Sequence, residues 1–156
     1  MLSELSLSHS TGFYDESSIF VGIYSEDGDV DIYYTFDGSE PSTDSYLYSG
    51  TPVYVQDNVV IRATAFKDGW LQSPVKTATY ILDNVSYNFP TMFLSTAPEN
   101  FFDYYTGIYV MGPNASPDYP HFGANFWEDW EKPLYIELLE TDGSYFSSQA
   151  GVKIIG

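Results

Sequence analysis

Cysteine is absent from all 156 residues, which excludes disulfide staples, thiolate metal ligands and thiol nucleophiles. Basic side chains are scarce: five Lys and Arg stand against twenty-two Asp and Glu, for a net charge of −17. Nucleic-acid binding rests on Lys and Arg displacing counterions, and anionic bilayers attract basic segments, so neither a nucleic acid nor membrane insertion is expected. The plain reading of the charge is solubility by self-repulsion. No run of 18 apolar residues occurs, and the opening MLSELSLSHS has neither a basic start nor an apolar stretch of signal-peptide length. An extracellular protein carrying this chain is therefore expected to have lost its signal, or the chain to be an internal piece. The two histidines, His9 and His121, lack a second His at ligand spacing, so no metal site is expected.

What is abundant is aromatic. Fifteen Tyr and eleven Phe help bring aromatic content to 19%, and flat rings pack well on a pleated, half-buried surface. Long Leu/Ala/Glu/Lys helical blocks are missing, so the composition predicts a mostly β fold. From residue 1 to about 82, short strand-like runs alternate with turn signals at the intervals of a sandwich. Leu2 to Leu7 alternates apolar and polar, and Ile19 to Tyr24 follows. Asp31 to Asp37 places Ile32, Tyr34 and Phe36 on one face, before the turn Asp37-Gly38-Ser39-Glu40-Pro41. Val53 to Val55 is short. Asn58 to Phe66 sets Val59, Ile61, Ala63 and Ala65 against Val60, Arg62, Thr64 and Phe66. Val75 to Leu82 closes the set, and the short connections imply antiparallel pairing in an Ig-like sandwich.

The runs Ser10-Thr11-Gly12-Phe13-Tyr14-Asp15, Ile32 to Pro41, and Val60 to Phe66 with Gly69 together resemble the chitobiase/β-hexosaminidase C-terminal-type domain, over nearly all of residues 8 to 81. The resemblance implies an Ig-like accessory sandwich appended to extracellular enzymes, in which the module is not the catalytic part.

After Asp83 the pattern changes to a β-rich segment with one short helix. Phe89 to Ser95 reads as a strand. Thr96 to Phe102 reads as one helical turn, with Thr96 as cap, Pro98 in the first turn and Glu99 at the positive end of the dipole. Gly107 to Val110 is expected to be a short strand. Thr141-Asp142-Gly143-Ser144 marks a hairpin between Leu134 to Leu139 and Tyr145 to Phe146, and Val152 to Gly156 reads as a final strand whose open edge could pair with a second copy. Leu94-Ser95-Thr96 with Pro98 to Phe102, then Thr106 to Val110, Asn125 to Pro133 and Gly151 to Gly156, resemble the start of a CotH-type kinase domain. The resemblance covers residues 89 to 156 and ends before the family's Gly-rich stretch and acidic catalytic residues. It implies ATP and magnesium for the full-length family, none of it assignable to a residue of this chain, and a bacterial, spore-coat or cell-surface setting.

Candidate chemistry is thin. Asp27, Asp29 and Asp31 have the spacing that opens a calcium loop, but Ile32 stands where Gly is required and Gly38 where Glu is required. Glu128, Asp129 and Glu131 beside Trp127 and Trp130 suggest a glycosidase pair only if two carboxyls face each other across a substrate; at a three-residue spacing the two Trp would instead share a helical face and serve as packing anchors. No G-x-S-x-G elbow marks a hydrolase triad. Asn84-Val85-Ser86 and Asn114-Ala115-Ser116 match the glycosylation pattern by chance. Trp70, after the Lys67-Asp68-Gly69 turn, either folds back over the sandwich end or stands free to stack on a sugar.

The expectation is thus an accessory sandwich, 1 to 82, followed by an incomplete CotH-like portion, 83 to 156. It carries no catalytic residue and no metal or cofactor of its own, and works as a spacer or presentation module beside the rest of the parent polypeptide. Two alternatives stand: a carbohydrate-binding or adhesion module using Trp70, Phe122, Trp127 and Trp130 on a polysaccharide, and a fragment of an active atypical protein kinase.

Overall fold

The computed structural model describes residues 1–83 and 88–155. The fold is mostly β, an Ig-like sandwich followed by a β-rich segment with one short helix. By internal contacts the chain divides into two compact units, Met1–Thr91 with Leu139–Ser144, and Met92–Leu138 with Tyr145–Gly156.

In the first unit the strands are β1 (Ser6–Leu7), β2 (Gly12–Phe13), β3 (Ile19–Val21), β4 (Ile23–Tyr24), β5 (Asp31–Thr35), β6 (Tyr46–Leu47), β7 (Val53–Val55), β8 (Val59–Phe66) and β9 (Lys76–Ile81). One layer is a five-stranded sheet in the order β2-β9-β8-β5-β6; the other is built from the pairs β1-β4 and β3-β7. The pairings are antiparallel except at one edge, where β2 runs parallel to β9 with Gly12 opposite Tyr80. The chain leaves β2 for the opposite layer before β9 arrives, so the two strands meet running the same way.

Between the layers lies one apolar cluster, including Val21, Ile23, Val55, Ile61, Ala63 and Tyr80, with Tyr34 and Phe36 packed against it. The face expected for Ile32, Tyr34 and Phe36 is therefore the inward one. Each fully buried aliphatic contributes about 1.5–3 kcal/mol. Strand β8 departs from simple alternation, because Arg62 and Thr64 on its other face are buried too. The Asp-Gly turn explains the first: Gly38 takes φ +85° and folds the loop back onto the sheet. Glu40 then meets the Arg62 guanidinium at 2.7 Å, and Gly38 O accepts from Arg62 Nη1 at 3.0 Å. Thr64 donates to Ser73 O at 2.9 Å, and Ser73 Oγ accepts from the Ala65 N–H at 2.9 Å.

Two local expectations change in this unit. Only Ser6–Leu7 of the first run is a strand; Leu2 and Leu5 enter the core at a spacing of three, outside any ladder. The run Ile19 to Tyr24 is split at Gly22, where the Ser8 side chain accepts from the Gly22 N–H at 2.8 Å and the Ser8 N–H donates to Gly22 O at 2.9 Å.

The remaining elements are β10 (Thr91–Ser95), α1 (Pro98–Phe102), a 3-10 turn (Asn125–Trp127), β11 (Lys132–Leu139) and β12 (Tyr145–Val152), with their sheet in the order β10-β11-β12. The expected hairpin joins β11 to β12: Gly143 takes φ +82°, and Ser144 N–H donates to Asp142 Oδ1 at 2.8 Å. Helix α1 has Pro98 and Glu99 where expected, but its N-cap is Ala97. Thr96 is occupied elsewhere, donating to Pro133 O at 2.6 Å. Gly107 to Val110 forms no strand, because the Ile108 and Tyr109 N–H groups donate to Asn100 O and Phe101 O, leaving none for a ladder. The last strand stops at Val152, Lys153 turning to pair with Asp129 at 2.7 Å. Gly156 and the sequon Asn84-Val85-Ser86 lie outside the described residues.

Candidate functional site

The second unit displays its aromatic side chains on a polar frame. Gly112 and Gly123 take φ of +70° and +84°, open to glycine at little cost, and both are closely approached. A side chain at Gly112 would collide with the Asn125 amide, and one at Gly123 would come within 2.5 Å of Asn114 O. Buried Asn125 donates through Nδ2 to Gly107 O at 3.0 Å and Tyr104 O at 3.2 Å, while its N–H donates to Met111 O at 3.0 Å. Across the loop, Ser116 N–H donates to Phe122 O at 2.9 Å. His121 Nδ1 lies 2.9 Å from Ser116 O, an acceptor-only partner that places the proton on Nδ1.

On this frame Phe122 and Trp127 come together, ring centroids 5.5 Å apart and tilted by 39°. Trp127 Nε1 donates to Pro120 O at 3.0 Å, which fixes the indole. Phe122 is 67% exposed and Trp127 46%, so Trp127 is not the packing anchor that helical spacing suggested. Trp130 is not on a shared helical face with Trp127, because Glu128 is already extended, φ −75° and ψ 145°. Trp130 instead lines an open cleft of about 350 Å³ with Thr106, Asp129, Glu131 and Lys132, and Lys132 Nζ sits 5.8 Å from the indole centroid.

Asp129 is not poised as the general acid of a glycosidase pair. The Lys153 ammonium, bonded to Asp129 at 2.7 Å, holds the Asp129 carboxyl below its ordinary range, whereas a general acid needs its pKa raised by burial. Among the described residues no three His, Asp or Glu converge to hold a metal ion. Asp27 of the calcium-like run is spent on the fold, accepting from the Ser3 N–H at 2.6 Å.

In the first unit, Trp70 follows the turn closed by its own N–H to Lys67 O at 3.0 Å and is 55% exposed. It does not fold over the sandwich end. Lys67 Nζ lies 5.7 Å from its ring centroid, the geometry of a cation–π contact. Sequence reasoning missed the framing roles of Asn125 and Glu40, since a single Asn or Glu carries no periodic signal.

Two of the three motif runs of the sandwich, Ile32 to Pro41 and Val60 to Phe66 with Gly69, fall within a family match, whereas Ser10 to Asp15 lies outside it. Residues 21–80 match the Fn3-associated family model. This is the Ig-like type that the chitobiase/hexosaminidase C-terminal resemblance anticipates. No curated protein and no solved structure matches the chain.

Proposed function

We propose that this chain is a non-catalytic accessory and presentation module of an extracellular, bacterial cell-surface protein of the CotH family, an Fn3-associated sandwich followed by the opening portion of a CotH-like domain. One observation carries the reading: the conspicuous motif residues of the sandwich serve the fold. Glu40 and Gly38 satisfy Arg62, Thr35 donates to Ser39 O, and Asp37 accepts from the Ser39 N–H and hydroxyl. Residues used in this way hold a rigid spacer and are not free to act on a substrate. In this reading ATP and magnesium belong to sequence outside this chain. Incubating the chain with ATP–Mg²⁺ and a protein acceptor is expected to give no phosphoryl transfer and no calorimetric binding signal; turnover by the chain alone overturns the proposal.

A second reading is supported by the Phe122–Trp127 pair: the second unit adheres to polysaccharide through its exposed rings. Retention on an insoluble polysaccharide that disappears in Trp127→Ala, with the circular dichroism spectrum unchanged, would select it.

A further inference from the structure

The two-paired-strand layer of the sandwich carries an aromatic face that has no part in the core. Strands β3 and β7 alternate strictly. Ile19, Val21, Val53 and Val55 point into the cluster, while Phe20 and Tyr54 point out, 62% and 53% exposed. These two are direct cross-strand partners, with ring centroids 5.1 Å apart. A third exposed ring follows close by in sequence. Tyr24, 55% exposed, lies back over Gly22: a methyl group placed on Gly22 would come within 2.6 Å of Tyr24 Cζ and 3.0 Å of Cε2. Glycine at 22 is what allows that ring to lie against the strand. Gly22 stands two positions after Phe20, with only Val21 between them, a backbone spacing of about 7 Å at the usual strand rise.

A cross-strand aromatic pair stabilises a sheet by about 0.2–1 kcal/mol, which accounts for Phe20 and Tyr54 facing each other. It does not account for a third exposed ring laid over a glycine. Charge narrows the occupant. In a chain of net charge −17, β1, β3, β4 and β7 contain no charged residue at all. An anionic surface or nucleic acid is repelled by the molecule as a whole, a basic protein finds no counter-charge on these strands, and a second copy brings another −17. A neutral, ring-faced polymer meets neither penalty. The C–H faces of pyranose rings are weakly positive and apolar, and they stack on the negative face of an aromatic ring.

We infer that Phe20, Tyr24 and Tyr54 form a stacking face for a neutral polysaccharide. The face is separate from the Phe122–Trp127 pair and requires no CotH relationship. The test is co-sedimentation of the full 156-residue chain with insoluble cellulose, chitin and β-1,3-glucan, at physiological and high salt. Wild type is expected to bind at least one of them with little salt dependence. Tyr54→Ala is expected to lose about tenfold in affinity, the cost of one stacked ring. Gly22→Ala, which lifts Tyr24 off the strand, is expected to lose several-fold at unchanged melting temperature, and Trp127→Ala to bind as wild type. Three outcomes overturn the inference: no wild-type binding to any of the three, retention by a folded Phe20→Ala/Tyr54→Ala chain, or loss in Trp127→Ala alone. A wild-type dimer in sedimentation that Tyr54→Ala converts to monomer also overturns it, assigning the face to self-association.

Discussion

Within Met1–Thr91, fourteen buried apolar residues form one cluster; among the described residues of the second unit only Ile108, Ala124 and Leu134 are buried apolar. Polar side chains hold the second unit where the first uses aliphatic ones. Asn125 ties Tyr104 O and Gly107 O together, and Asp103 accepts from the Tyr105 and Thr106 N–H groups at 2.9 and 2.8 Å. Thr96 links α1 to β11 by bonding both Asn100 and Pro133. Apolar burial is non-directional and sums over area, so the sandwich tolerates an irregular strand such as the one broken at Gly22. A frame of hydrogen bonds is directional, each bond adding only about 0.5–1.5 kcal/mol, so it depends on each partner in turn. The same contrast explains why so many rings of the second unit remain at the surface: its order does not require them inside.

The contrast predicts different sensitivities. Ile61→Ala, in the centre of the sandwich at 0% exposure, is expected to cost about 2–5 kcal/mol in urea unfolding; Leu134→Ala in the second unit should cost less than half of that. Equal losses would break the comparison. Ser73→Ala removes the acceptor for the Ala65 N–H and the hydroxyl beside Thr64, and is expected to cost about 1–3 kcal/mol by leaving buried polar groups unmet. Asn125→Ala is expected to cost about 1–2 kcal/mol, confined to the second unit. Fluorescence of Trp127 and Trp130 should shift while that of Trp70 does not, recorded in single-Trp variants.

The smallest effect is on pH. The Thr106 N–H, its hydroxyl and the Tyr105 N–H hold Asp103 below the ordinary aspartate value, and the Lys153 bond and charge do the same for Asp129. A depressed folded-state pKa gives stability that is fully present above the unfolded value of about 3.9 and is lost as pH falls through the folded one. The change in Trp127 emission that these two carboxylates cause is therefore expected below about pH 4. Asp103→Asn should shrink the Asp103 part of that acid transition. At the other extreme, burial and then the Glu137 carboxylate raise the Tyr145 phenol, so the stability this contact contributes is complete below the unfolded tyrosine value of about 10 and is lost as pH rises through the higher folded one.

Much of the sandwich was legible because period-2 alternation and turn chemistry are local. Val53 to Val55, Asn58 to Phe66 and the Asp37-Gly38 turn each announce themselves within a few residues, and the ladder found them within one or two positions. The candidate rings were legible only as residues. Whether Trp127 packs or faces solvent depends on Glu128 leaving the helical region, and nothing in the Trp-x-x-Trp spacing encodes that. Gly107 to Val110 looked like a strand because its side chains suit one, yet its N–H groups had closer acceptors in α1.

The sequence by itself determined a cysteine-free, acidic, aromatic-rich β protein, the order of its turns and which residues share a face of its central strands, since these follow from composition and from the two-residue period of a pleated chain. The tertiary structure alone decided that Glu40 reaches across to Arg62, that Tyr24 lies over Gly22, that Phe20 meets Tyr54, and that Phe122 meets Trp127. Each of those pairings except Tyr24 with Gly22 joins residues distant along the chain or placed by a loop's φ and ψ, and all depend on which backbone groups already have partners.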